Sequence, residues 1–180
     1  SYRVPLKPLK SPQIIEMKGM PFGVALNGIP FDPATAECYG QRRGGGGGPN
    51  SQCDWREEAI LGGQGRLGLD SSNAHVQPDG TYHYHGIPYG LIDILSGDSL
   101  TYVGYAADGF RIVYSERSGY KSGYRLKSGQ RSGGPGGRYD GTYTQDFIYD
   151  PVPGALDECN GTTIDGEYVY FLTESFPFVP

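Results

Sequence analysis

Three histidines, His75, His83 and His85, fall within eleven residues, and the rest of the 180-residue chain has none. Imidazole is the commonest protein ligand for zinc and copper, and three imidazoles leave one position of a tetrahedral ion open. The turn between them matters as much as their number. Gln77-Pro78-Asp79-Gly80 suits a type I turn, with Pro78 presetting φ and Gly80 supplying the left-handed position of a bulged hairpin. That loop pairs Gln77 with Thr81, Val76 with Tyr82 and His75 with His83. Because side chains alternate along strands, His85 joins the same face opposite Asn73, while Val76, Tyr82 and Tyr84 point the other way. Facing Cβ atoms are then roughly 5 Å apart, which makes a transition-metal site the expectation. The plainer alternative is three imidazoles on an exposed sheet, each bonded to a neighbour.

A second constellation is acidic. Asp157-Glu158-Cys159-Asn160-Gly161 gathers oxygen-bearing side chains in a turn, with Asp165 beyond it and Asp140, Asp146 and Asp150 before it. Hard oxygen ligands suit calcium, with Asp157, Glu158 and Asn160 as the set; ordinary turn capping by Asp and Asn is the competing account. Asp108, in Ala-Ala-Asp-Gly-Phe, is either a turn residue or a carboxylate orienting the histidines. The tyrosines at 82, 84, 89, 102 and 105 read as packing residues, with a sugar-stacking surface as the sharper alternative. Nucleophilic catalysis finds no support, since the chain has neither a Gly-x-Ser-x-Gly elbow nor His-Glu-x-x-His. The glycine runs at 44–48 and 133–137 lack the Lys-Ser/Thr of a phosphate loop and read as loops.

The elements that must carry these residues are short. Thirty glycines and 14 prolines argue for many turns and few helices, while 15 tyrosines supply buried area. Strands are expected at Gln13 to Lys18, Phe22 to Ile29, Ile87 to Leu95, Thr101 to Ala106, Phe110 to Tyr114, Thr142 to Tyr149 and Glu167 to Thr173. Trp55 to Leu61 is the one candidate helical turn, and residues 115–141 read as a surface excursion. The expectation is an all-β or mainly β domain of short antiparallel strands over 13–180, a sandwich or a distorted barrel, with long Gly-rich loops. Residues 1–12, with a proline every third or fourth position, form an extended arm.

A net charge of −5, with no basic stripe interleaved with aromatics, excludes nucleic acid as a partner. No apolar run approaches the length of a membrane span. The start at Ser1 reads as a mature, processed product, hence secreted or at the cell surface. Of three cysteines, Cys38 and Cys53 flank a loop and are placed to close it as a disulfide; Cys159 is left free or paired outside this chain. Asn160-Gly-Thr162 is a glycosylation sequon.

In chain order, Gly23-Val-Ala-Leu-Asn-Gly-Ile-Pro-Phe31, His75-Val-Gln-Pro-Asp-Gly-Thr-Tyr-His-Tyr-His-Gly86, Val103-Gly-Tyr-Ala-Ala-Asp-Gly-Phe110, Ser122-Gly-Tyr-Arg-Leu-Lys-Ser128, Tyr139-Asp-Gly-Thr-Tyr-Thr-Gln-Asp146 and Leu156-Asp-Glu-Cys-Asn-Gly161 resemble the YHYH domain family, named for the motif at Tyr82-His83-Tyr84-His85. The resemblance spans nearly the whole chain and implies an extracytoplasmic protein with a role for metal at that motif. Thr162 departs from the pattern, standing where members have Arg or Lys.

Two functions remain in view. The first is an extracellular metal-binding β domain, structural or adhesive, whose arm (apolar Val4, Leu6 and Leu9) joins copies of itself into a filament. The second is a secreted metalloenzyme in which the three histidines hold zinc or copper at an open position, with Asp108, Asp93 or Asp79 as general base. A periplasmic metal carrier or glycan-binding module is a third reading.

Overall fold

A β-strand survives in water only when its polar backbone is paired and its apolar side is covered, and most strands of this chain are three to six residues long. The computed structural model describes residues 1–15, 17, 21–41, 53–62, 67–95, 99–116 and 119–180. Among these described residues there are ten strands, β1 (Gly23–Ala25), β2 (Pro30–Phe31), β3 (Ala74–Val76), β4 (Tyr82–Tyr84), β5 (Thr101–Ala106), β6 (Arg111–Tyr114), β7 (Tyr124–Leu126), β8 (Phe147–Tyr149), β9 (Gly161–Ile164) and β10 (Glu167–Leu172), with one α-helix, α1 (Tyr89–Leu95). Eight of them form one sheet in the order β3-β4-β2-β1-β5-β6-β10-β9, and β7 and β8 pair separately. The chain is mainly β, but the sheet is open, neither a barrel nor a sandwich of two like sheets. It is also mixed: β2 with β4 and β6 with β10 run parallel, which corrects the all-antiparallel expectation.

Both faces of the central strands are covered. On β6, Ile112 and Tyr114 belong to one apolar cluster and Val113 to another; on β10, Tyr170 and Leu172 face the first and Val169 and Phe171 the second. The first cluster includes Phe31, Ala74, Tyr84, Val103, Leu91 and Ile92, so it joins the histidine hairpin, the sheet and α1. Close strand approach is secured by glycine. A Cβ on Gly104 would lie 2.2 Å from the Val24 carbonyl oxygen, and one on Gly23 2.4 Å from that of Tyr105.

Several local expectations change. Ile87 to Leu95 is not a strand: after Pro88, whose carbonyl accepts from Leu91 and Ile92 N–H, the chain coils into α1. Leu91, Ile92 and Leu95 pack on the first cluster while Ile94 is 81% exposed, a helical period within a run that looks uniformly apolar. Trp55 to Leu61 is not a helix; Arg56 and Glu57 make single bridges to Cys38 and Tyr143. The Glu58 carboxylate accepts the Leu61 N–H, a local bond that competes with a helical ladder. Residues 13–15 and 17 form no strand, and Glu16 and Lys18 lie outside the described residues, as do positions 42–52 of the expected glycine loop. The excursion at 115–141 contains β7, and β9 was not foreseen. Thr142 to Tyr149 yields only β8, preceded by a 3-10 turn at Thr144–Asp146. No helix among the described residues is long and apolar enough to cross a membrane.

Candidate metal centre

The turn residues fix the register of β3 on β4. Gln77 N–H donates to the Thr81 carbonyl and Gly80 N–H to that of Gln77, both at 2.9 Å, with Gly80 at φ +89°. Ala74 then faces Tyr84, His75 faces His83 and Val76 faces Tyr82. The pairing continues past the strand ends, where His85 N–H donates to the Asn73 carbonyl at 2.8 Å. Two residues, Asp70, to which the sequence reading gave no role, and Asn73, expected opposite His85, hold the entry to β3. Asp70 Oδ1 accepts from the backbone of Ser72 and Ala74 while its other oxygen accepts from the Tyr82 hydroxyl. Asn73, in the left-handed region at φ 55°, donates from its amide to the Ile87 carbonyl.

The three imidazoles converge. His83 Nε2 is 2.9 Å from His85 Nε2, which is 3.2 Å from His75 Nε2. Among the described residues this is the one group of three or more His, Cys, Asp or Glu side chains close enough to share an ion. The outer nitrogens determine what the inner ones can do. His75 Nδ1 lies 2.7 Å from the Leu67 carbonyl and His83 Nδ1 3.3 Å from that of Thr81. A carbonyl only accepts, so both Nδ1 atoms donate, and in the neutral imidazoles both Nε2 atoms present lone pairs. His85 Nδ1 is buried with no hydrogen-bond partner. His85 is therefore free to hold its proton on Nε2 and share it between His83 and His75, and loss of that one proton would leave three lone pairs facing a cation. With zinc–nitrogen bonds of about 2.0–2.1 Å, tetrahedral ligands stand roughly 3.3 Å apart; the His83–His85 and His85–His75 separations are within a few tenths of an ångström of that spacing, and all three ligand atoms lie within 4.8 Å of one another.

Burial prepares the ligands. His83 and His85 are 2% and 3% exposed, and His75 is half-buried. Desolvation, followed by the neighbouring imidazoles of His83 and His75, pushes His85 down to about 3. Desolvation likewise lowers His83, opposed by the Thr81 carbonyl and by the charges of Asp32 and Asp79. Neutral imidazole is the form that binds metal. Asp32 was missed in the sequence: its backbone extends the β2–β4 pairing, Asp32 N–H donating to the Tyr84 carbonyl, and its carboxylate accepts from Gln77 Nε2 at 3.2 Å. The run Ile29-Pro-Phe-Asp32 offered no signal for it, because the parallel pairing of β2 with β4 is a long-range event.

The other candidates lie elsewhere. Asp108 closes the β5–β6 turn, accepting from Phe110 N–H and, at 2.7 Å, from the Tyr170 hydroxyl; it does not orient a histidine. Asp79 caps the hairpin turn by accepting from Thr81 N–H, and Asp93 sits on α1; neither joins the histidine group. Asp157, Glu158 and Asn160 do not gather around a common point: Asp157 accepts from Cys159 and Gly161 N–H and from the Tyr168 hydroxyl, while Glu158 is exposed. Asn160 is fully buried at φ 54°, its amide nitrogen donating to Phe171 and Pro177 carbonyls and to Thr173 Oγ1. That nitrogen is the atom a glycan would need, and in the folded chain it is a packing contact. Cys38 and Cys53 form a disulfide, and Cys159 is unpaired.

No curated protein and no solved structure matches the chain. The family model described as YHYH protein matches residues 1–180, the whole length. Tyr82-His83-Tyr84-His85, whose two histidines complete the converging trio, therefore stands here as a family signature: the chain belongs to the YHYH protein family.

Proposed function

We propose that this is an extracellular metal-binding β domain with a structural or adhesive role, its histidine trio holding one zinc or copper ion. The observation that carries the reading is the convergence of three Nε2 atoms, two of them on rings whose Nδ1 faces a carbonyl that holds the ring proton there. His75, His83 and His85 would be the ligands, and the ion would cross-link the two arms of the hairpin to the loop at Leu67. Nitrogen ligands favour zinc or copper over calcium. Near-complete burial of His83 and His85 favours structure over catalysis, because a reacting site needs room for substrate beside the ion. The Cys38–Cys53 disulfide supports an oxidising, extracellular setting. Self-association through residues 1–12 belongs to the same reading: Leu6 and Leu9 are 97% and 89% exposed, apolar surface awaiting a neighbour.

Elemental analysis of protein purified without chelator tests it. About one equivalent of zinc or copper per chain is expected. Chelation should lower the melting temperature, and returning the metal at 100 times its Kd should restore about 2.7 kcal/mol. His75→Ala, the least buried ligand, should bind far more weakly while remaining folded. A metal-free protein whose melting is indifferent to added zinc and copper would sink the proposal.

A further inference from the structure

Trp55 is the single tryptophan of the chain, and it belongs to neither apolar cluster. Its indole is held from several sides. The ring of Tyr143, itself buried, takes Trp55 edge-on at 5.9 Å and Tyr39 edge-on at 6.2 Å. Arg131, locked in ion pairs with Asp146 and Asp140, lies over the rings of Tyr143 and Trp55, 5.1 and 6.0 Å from their centroids. Gly134 presses so close that a Cβ there would stand 2.1 Å from Trp55 Nε1. Tyr39 N–H donates to the Trp55 carbonyl at 2.9 Å, and the Cys38–Cys53 disulfide ties the two segments next to these rings.

Between those segments lies a recess of about 510 Å³, lined by Cys38, Tyr39, Gln41, Asp54, Trp55 and Gly134. That volume falls inside the roughly 300–1,000 Å³ of small-molecule sites. Tyr39 is 48% exposed, and the Gln41 and Asp54 side chains have no hydrogen-bond partner among the described residues. Two preorganised aromatic rings beside a carboxylate and a carboxamide define the ligand chemistry. Among the described residues that line it none is cationic, and the Asp54 carboxylate would repel phosphate and sulfate groups. The polar pair would be stripped of water beneath a lipid tail, at a cost. What fits is a neutral molecule with one C–H face for the electron-rich rings and neighbouring hydroxyls for Asp54 and Gln41.

We propose that this recess is a carbohydrate-binding site for a pyranose unit of a neutral polysaccharide, separate from the histidine trio and independent of its metal. It would give an extracellular domain a foothold on a glycan matrix. Tyr39 and Trp55 stack on the sugar ring, Asp54 accepts from its hydroxyls, and Gln41 both donates and accepts.

Because Trp55 is unique, tryptophan emission of the full chain reads this recess directly. It would be titrated with cellohexaose, xylohexaose, mannohexaose, maltohexaose and chitohexaose, and in parallel with a synthetic peptide of residues 1–12. A saturable emission change with at least one hexasaccharide is expected. Tyr39→Ala should weaken it roughly tenfold and Asp54→Asn about threefold, each at unchanged melting temperature. Silence with all five sugars at roughly 10 mM, or unaltered binding by both variants, overturns the proposal. So does a response to the peptide alone, which would make the recess a socket for the proline-rich arm of a second copy.

Discussion

Glu58 is a carboxyl with 5% of its surface exposed, placed where a turn aims N–H groups at it. Burial is the largest influence and raises it from 4.5 to about 7; the N–H groups of Leu61, Ile60, Ala59 and Gly62 pull it down but do not win. A carboxyl raised in the folded state contributes stability that is complete below 4.5 and is lost as pH climbs through 7. The loss amounts to about 3 kcal/mol at roughly 1.4 kcal/mol per pH unit. Glu58→Gln keeps the acceptor and cannot ionise, so it should match the parent near pH 4.5 and exceed it by up to about 3 kcal/mol at pH 8. Subtracting urea curves of the two proteins isolates this residue from His83 and His85. Those imidazoles, lowered on folding, act in the opposite sense: their contribution is present above the ordinary histidine range and is lost as pH falls. Parallel curves from pH 4.5 to 8 would contradict the assignment. At this scale the sequence was legible where a rule is local. Alternation and the Pro78-Asp79-Gly80 turn were enough to put three imidazoles on one face. The Leu67 carbonyl that fixes the His75 tautomer, the Tyr82–Asp70 bond and the approach of Asp32 depend on where distant chain lies, and no spacing encodes that.

Among the elements, the pairing of β1 with β5 depends on an atom that is missing. Gly23 and Gly104 let two strands meet where side chains would strike backbone, and Gly104 also borders the register shift of β5 on β6. Gly104→Val should therefore cost more than the roughly 1–3 kcal/mol of ordinary overpacking, since the obstacle is a carbonyl rather than a side chain that can turn away. Gly28→Ala controls for the general cost of replacing glycine. At φ +84° with nothing within 4 Å of its Cβ position, it should lose only about 1 kcal/mol of strain energy. Equal shifts in urea midpoint for the two variants would show that the close approach is not critical. Strands with clear turn punctuation, β5 and β6 around Ala107-Asp-Gly109, were legible to within a residue. The helix α1 was not: seven residues cover two turns, too few for a 3.6 period to separate from a continuous apolar run. Parallel pairing of β6 with β10 joins segments more than fifty residues apart, and strand-length patterns carry no information about such a partner.

For the molecule as a whole, an open sheet leaves two edges, β3 and β9, and the proposed self-association would draw on the N-terminal segment. The arm is tethered lightly. Lys10 pairs with Asp157 at 3.1 Å and lies 4.0 Å over the Tyr168 ring, and the Pro5 carbonyl crowds Gly109. An exposed ion pair of this kind contributes about 0–1 kcal/mol, which another partner can outbid. Leu6 and Leu9 point away from the domain, and burying each on a neighbour would return about 1.5–3 kcal/mol. Removing residues 1–12 should leave the melting temperature nearly unchanged, because these residues supply nothing to either core cluster. The same deletion should abolish any large species seen by light scattering, and Leu6→Ser with Leu9→Ser should reproduce most of that loss in the full-length chain. A size distribution indifferent to both changes would mean that the arm packs only on its own domain, and any assembly would then have to proceed through the sheet edges.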